Sequence, residues 1–351
     1  MPSRDGEAAI RTSVASGVLD HVHHIRLSGD GAFDALDRLV PADLRVRDGQ
    51  LLHTLLLDEE GHCFADLYVA NDDEQFLLLA EGPTREALDA HLRTHLPSDA
   101  SVSVDVRTES HAIVALEGPY AWELLGLAVG QEAIGLPYLT FFHLERWTCY
   151  RAGKTGEYGY GIILPRADLD DLQRRLHTHG AGLDMGAADL AALDQCALEN
   201  QFFNIRREGR EPVTPIELQL QWRVSSRKEY VGSGALRRRR EEGARVRTTC
   251  LIGAEPWAAG DEVTLQGTAV GRLVNAGFSS TRGDWIAVAL VDVAWAHPGI
   301  DEFVVVARDG RRIAARSVSA PVLNNRSLHV SPQMHSYGTR DGYAFPPLPR
   351  G

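Results

Sequence analysis

Two carboxylates stand in surroundings that could give them chemistry. Asp66 lies inside "CFADLYV" (63–69), and strand alternation puts it on one face with Phe64 and Tyr68, away from Cys63, Ala65 and Leu67. A carboxylate among such neighbours loses solvation, which raises its pKa toward the range where it can take or give a proton. A solvent-washed polar face fits the same alternation. Glu199 closes "AALDQCALEN" just before the aromatic pair Phe202-Phe203. Its two oxygens can accept from two adjacent donors on the edge of a planar ligand, and the position equally suits a solvated helix end.

Other constellations fail on spacing. "RAGKTGEYGYGI" (151–162) contains a Gly-Lys-Thr, but a Walker loop needs a glycine five residues before Gly153, and that position is Thr148. "DHVHH" (20–24) sets His21 and His23 on one strand face, too few ligands for a metal, so no metal site is assigned. No G-x-S-x-G occurs, and Gly29-Asp30-Gly31 and Gly232-Ser233-Gly234 miss the third glycine of the dinucleotide fingerprint.

The elements that must position the two acids follow from periodicity and turn chemistry. "HHIRLSG" (23–29) reads as a strand and "GAFDALDRLV" (31–40) as a helix capped by Asp30. Breaks at Glu59-Glu60-Gly61 and Asn71-Asp72-Asp73 divide residues 50–82 into three consecutive strands. The helix "PTREALDAHLRTHL" (83–96) lies on that sheet. A second unit of similar outline follows, with strands at 111–118 and 138–145, two more flanking the 151–162 stretch, and helices at 119–127, 167–179 and 187–200. From about Arg245, six short strands between Gly and Asp turns predict a small antiparallel barrel or sandwich. The last stretch, ending "FPPLPRG", reads as a frayed polar tail despite its P-x-x-P spacing at Pro346 and Pro349.

With 351 residues the chain has room for about two domains. Its net charge of −12 disfavours nucleic acid and anionic membrane as partners. The basic run Arg237–Arg240 is followed by Glu241 and Glu242, which places Arg237 with Glu241 and Arg238 with Glu242 four apart on a solvated helix. The four cysteines are scattered, the N-terminus has no apolar signal core, and the most apolar stretch, "WIAVALVDVAWA", is too short to span a bilayer. These features predict buried, reduced thiols in a cytoplasmic protein.

The order of several segments is more specific than any one of them. "RAGKTGEYGYGI" resembles the R-x-G-Y-T-G-E-x-G-Y-E stretch of the aminomethyltransferase family, typified by the T-protein of the glycine cleavage system. "ALEN" followed by "TPIELQLQWRV" (214–224) is similar to R-L-E-A then T-P-L-E-A-G-L-G-W. "EYVGSGALRRRREEG" (229–243) resembles D-F-I-G-R-E-A-L, "GTAVGRLVNAGFSST" (267–281) resembles V-G-x-V-T-S-G, and "GHCFADLYV" (61–69) resembles G-G-I-x-x-D-L-x-V.

The resemblance implies an α+β fold: a folate-binding body over 1–244, in two related antiparallel sheet and helix layers of about 1–108 and 109–244, then a C-terminal antiparallel β-barrel over 245–322 and a polar, flexible tail over 323–351. It implies tetrahydrofolate as cofactor, Glu199 gripping the pterin, and Asp66 as the catalytic aspartate near the folate nitrogens. The turn at 153–157 would join two strands in the wall of the folate site, bringing Lys154 and Tyr160 to the cofactor. Arg227 and Lys228 would meet the glutamyl tail. His53, about where the family has a pocket tyrosine, would join Asp66 in catalysis.

Departures from the pattern fall on the side of the one-carbon donor: Lys154 replaces the motif tyrosine, Gly161 its final glutamate, and Asn200-Gln201 the Ala-Gly after Glu199. They point to a specialised methyltransferase or demethylase, with a small-molecule one-carbon donor or acceptor favoured over a lipoyl carrier protein. The alternative is a non-catalytic folate-binding accessory protein. That group carries K-G-C-Y-x-G-Q-E, where this chain has Glu229 for the cysteine and Ser233 for the glutamine.

Overall fold

In the computed structural model, which describes residues 4–45, 47–99 and 101–349, the chain begins with α1 (Arg4–Thr12) and β1 (Ala15–Val18) and then builds a five-stranded antiparallel sheet. That sheet, in order β3-β4-β5-β2-β6, uses β2 (Val22–Ser28), β3 (Leu51–Leu57), β4 (Cys63–Asp72), β5 (Gln75–Glu81) and β6 (Ser103–Val106). Its outer face is covered by α2 (Ala32–Leu39) and α3 (Arg85–His95) through Leu36, Leu39, Leu88 and Leu92. Thr84 caps α3 by accepting from the Ala87 N–H. The Asp30 cap read for α2 is one residue early: the cap is Gly31, with no side-chain bond.

A second, six-stranded sheet has the order β11-β1-β7-β10-β9-β8, from β7 (His111–Glu117), β8 (Thr140–His143), β9 (Thr148–Arg151), β10 (Gly159–Pro165) and β11 (Gly186–Ala187), with β1 threaded between β11 and β7. Its outer face is covered by α4 (Ala121–Ala128) and α5 (Leu169–Gly180). The inner faces of the two sheets meet through Leu51, Leu77, Leu79, Ile113, Phe141 and Ile163. In β5, Phe76, Leu78 and Ala80 face the helices while Leu77 and Leu79 face the other sheet, which is why "QFLLLAE" reads as one apolar run instead of alternating.

Then come α6 (Leu190–Glu199), capped by Asp189 at the Ala192 N–H, 2.7 Å, and α7 (Ser233–Glu242). In α7, Arg237 reaches Glu229 (2.5 Å), and Arg239 reaches Glu217 (2.9 Å) and, along its own helix, Glu242 (3.6 Å). The expected pairs of Arg237 with Glu241 and Arg238 with Glu242 are not formed among the described residues. The last unit is a closed six-stranded barrel of β12 (Val246–Gly253), β13 (Glu262–Leu265), β14 (Thr268–Ser279), β15 (Asp284–Asp292), β16 (Phe303–Val306) and β17 (Arg312–Val318). All four cysteines are free and buried, and no helix is long and apolar enough to cross a membrane among the described residues.

The segment after Val322, expected to fray, instead packs on the second layer. Leu323, Val330 and Tyr337 are buried, and Glu157 accepts from the backbone N–H groups of Arg326 (3.0 Å) and Ser327 (2.7 Å). The Tyr337 N–H donates to Glu123 at 2.7 Å. A few anchors, spaced too widely to form a periodic pattern, hold a segment whose average composition is that of a loop.

Candidate functional site

Between the sheets lies a cavity. β4 and β5 contribute Asp66, Tyr68 and Glu81, β7 contributes Glu117, and the turn joining β9 to β10 contributes Lys154 and Thr155. Tyr150 and Phe203 supply aromatic walls. Tyr150 fits because Gly161 has no side chain: a Cβ there would sit 2.0 Å from the Tyr150 ring.

Asp66 is the most heavily bonded acid of the cavity. The two partners of β4 in the sheet place it opposite Leu55 on β3 and Glu81 on β5. His53 Nε2 lies 2.8 Å from Oδ1, Arg223 Nη1 donates to Oδ1 at 2.9 Å, and Lys154 Nζ donates to Oδ2 at 2.8 Å. Lys154 also reaches Glu81 Oε2, at 2.5 Å.

The expected rise of the Asp66 pKa is therefore overturned. Burial alone would push the carboxyl up, but Lys154, His53 and Arg223 together outweigh it and hold it well below the usual carboxylate range. Burial pushes His53 down, so at neutral pH it is an uncharged imidazole donating to an ionised Asp66. The expected strand face also changes. Leu56 pairs with Ala65 and Leu57 with Cys63, so Phe64 is the extra residue of a bulge and stacks on His91 of α3 at 4.4 Å. Asp66 keeps Tyr68, which stacks on His53 at 4.2 Å, but not Phe64.

Glu199 is not among the residues lining the cavity. In α6, Leu190, Leu193, Asp194 and Ala197 lie along the cavity at i, i+3, i+4 and i+7. Glu199 follows Ala197 by two residues, about 200° round the helix. There it is buried, with Oε2 bonded to Arg11 Nε (3.0 Å) and Nη2 (2.5 Å) and Oε1 accepting from Ser279 Oγ at 2.5 Å. The two acceptor oxygens expected to be free for a ligand are both engaged by the protein, and Asp66 and Glu199 do not face one another across a common void.

The remaining expected residues divide. Lys154 and Tyr160 border the cavity, although the Tyr160 ring belongs to the core beneath α4 and α5. His53 reaches the site through Asp66. Arg227 is exposed, and Lys228 bonds Asp37 Oδ1 (2.6 Å) and the Ala42 carbonyl (2.7 Å) on the first layer; neither lines the cavity. Its cations are Lys154 and Arg206, the latter paired with Glu81 and Asp194.

Glu117, Arg223, Glu81 and Arg206 escaped the sequence reading because each is brought in by tertiary packing. Glu117 had one legible signal, a carboxylate ending the apolar strand "HAIVALE". Arg11, Glu157 and Lys154 are the charged groups that act on it, with Thr155 bonded to it, and burial still pushes its carboxyl up to about 8. An acid raised in this way stays protonated in the fold while the unfolded chain ionises above its ordinary value of 4.5. It thus removes stability as pH rises from about 5 toward 8. Glu117→Gln should open a stability advantage over the parent protein that widens across that interval and levels off above it. Urea melts at a series of pH values check this, and an advantage independent of pH would return Glu117 to the ordinary carboxylate range.

Comparison with known proteins gives consistent relatives over most of the chain. Residues 3–228 match the GCVT N-terminal domain model and residues 245–323 the glycine cleavage T-protein C-terminal barrel domain model. An aminomethyltransferase of Rubrobacter xylanophilus is 31% identical over 295 residues, 81% of this chain and 77% of that protein. One of Alcanivorax borkumensis is 29% identical over 325 residues, 90% and 87%. The crystal structure of the glycine cleavage system aminomethyltransferase T from Bartonella henselae superposes with a TM-score of 0.81 at 25% identity, over 90% of this chain and 88% of that one.

Proposed function

We propose, for a chain that belongs to the glycine cleavage T-protein (GCVT) family, that it transfers a one-carbon group, as methyl, methylene or aminomethyl, between tetrahydrofolate and a small molecule. The observation that carries this reading is the position of Asp66, ionised and held by three donors, in the wall of an aromatic-lined cavity between the sheets. Tetrahydrofolate, when bound, supplies ring nitrogens that accept or release the carbon. The residues present suit such a group: Tyr68, Tyr150 and Phe203 offer apolar walls for a planar ring, and the cavity keeps polar side chains at its edge.

Because Asp66 stays ionised, its task is electrostatic and not proton transfer. It orients the nitrogen-bearing edge of the cofactor and favours positive charge developing beside it, in a position fixed in advance by Lys154, Arg223 and His53. Lys154, in place of the family motif's tyrosine, ties Asp66 to Glu81 and removes an aromatic wall on the side of the one-carbon donor. This supports a specialised methyltransferase or demethylase acting on a free small molecule over an enzyme served by a lipoyl carrier.

The test is to incubate the protein with tetrahydrofolate and a panel of methylated amines and ethers, and to analyse the folate pool by mass spectrometry. Methyl- or methylene-tetrahydrofolate formed with one donor class is the expected result. Folate binding without transfer to or from any donor would replace this reading with that of a folate-binding accessory protein, and absence of folate binding would remove it.

A further inference from the structure

We propose that Glu117, and not Glu199, is the acid that reads the pteridine ring, by bonding the amino edge of its 2-amino-4-oxo portion; this rests on the folate reading above. The four acids bordering the cavity are Asp66, Glu81, Glu117 and Asp194. Asp66, Glu81 and Asp194 are committed to cations: Lys154 and Arg223, Lys154 and Arg206, and Arg206 respectively. Glu117 is in no ion pair among the described residues, and its one bond is from Thr155 Oγ1 to Oε2, at 2.6 Å. The residue is 5% exposed and lines the cavity, and Oε1 has no hydrogen-bond partner among the described residues.

The surrounding backbone leaves room for this carboxyl. Glu117 sits opposite Gly159 in the β7–β10 ladder, and a Cβ on Gly159 would lie 2.9 Å from Oε2. A Cβ on Gly153 would lie 2.8 Å from Oε1. A side chain at Gly153 would displace the acid, and one at Gly159 would meet both the acid and the backbone of Ala152 and Gly153, so the two glycines keep space for the carboxyl.

A buried polar group that lacks a partner is costly, and a ligand that bonds it gains in proportion. A neutral carboxyl presents one donor and one acceptor, which match an amino N–H beside a ring nitrogen. A carboxylate presents two acceptors, which match the same amino group beside a ring N–H. Either way the amino group is the shared contact. Glu199 cannot take this part without giving up Arg11 and Ser279.

The experiment is titration calorimetry of the full-length protein with tetrahydrofolate and with its 2-desamino analogue. The expected result is that Glu117→Leu weakens tetrahydrofolate binding about 30-fold, as for two lost hydrogen bonds. Glu117→Gln, which keeps a donor and an acceptor, should lose less than about fivefold. Glu199→Gln should leave the affinity unchanged. The desamino analogue should bind the parent protein about as weakly as Glu117→Leu binds tetrahydrofolate, and the two losses should not add.

If the parent protein binds tetrahydrofolate and Glu117→Leu binds it equally well, or Glu199→Gln is the variant that loses affinity, the assignment to Glu117 falls and the folate reading stands. If the parent protein binds no tetrahydrofolate, both fall. Should Glu117→Leu fail to fold, the parent protein decides: equal affinity for the two ligands overturns the proposal.

Discussion

Asp66→Asn should lower turnover by at least about 10²-fold, the scale of a lost preorganised charge in an active site, while tetrahydrofolate affinity measured by calorimetry holds. Asparagine keeps the shape and one acceptor oxygen, so His53 and Arg223 on the Oδ1 side still have a partner. What disappears is the negative charge at the wall of the cavity. Lys154 keeps Glu81 as its second anchor, so the turn stays in place. The pH–rate profile separates this role from acid–base work: with the Asp66 pKa held far below its ordinary value, the residue contributes no acidic limb above pH 5. An Asp66→Asn enzyme with parental turnover would reject the assignment. An acidic limb near pH 6 that this variant abolishes would restore proton transfer as the role.

Arg11→Met should be the most destabilising single change, at about 3–5 kcal/mol, the range for breaking a buried ion pair from one side. The guanidinium is almost wholly enclosed and joins α1 to three distant segments: Glu199 and the Cys196 carbonyl (3.1 Å) on α6, the Thr155 carbonyl (2.6 Å) in the turn, and Asn325 Oδ1 (3.4 Å) in the C-terminal segment. Methionine leaves Glu199 buried with Ser279 as its remaining partner. Adding Glu199→Gln should recover much of the loss, because the uncompensated charge is then gone. Urea unfolding of the two single variants and the double variant gives the comparison. A loss below about 1 kcal/mol for Arg11→Met would show that this pair behaves as a surface contact.

The two layers and the barrel were legible because their signals are local. The three strands β3, β4 and β5 are separated by turn residues, Thr84 announces α3, and the barrel strands lie between Gly and Asp turns. Asp66 was legible as a polar residue in an apolar strand. The misreadings of the two acids share one cause, that their partners came from far along the chain. The sign of the Asp66 shift depends on Lys154 and Arg223, 88 and 157 residues away. The fate of Glu199 depends on Arg11, 188 residues away, on α1. A family motif supplied the residue type at position 199 but not the direction of its side chain, which the helical offset from Ala197 decides. The same reasoning applies to Lys228, which is held by Asp37, 191 residues away on α2.

The C-terminal segment that clasps Glu157 has a consequence for how the molecule is made. Arg11 and Asn325, 314 residues apart, are in contact. Glu157 is likewise closed by residues 326 and 327. Contacts of such sequence separation carry the largest loop-closure cost, so the acidic seam of the second layer is closed after the local sheet and helix contacts have formed.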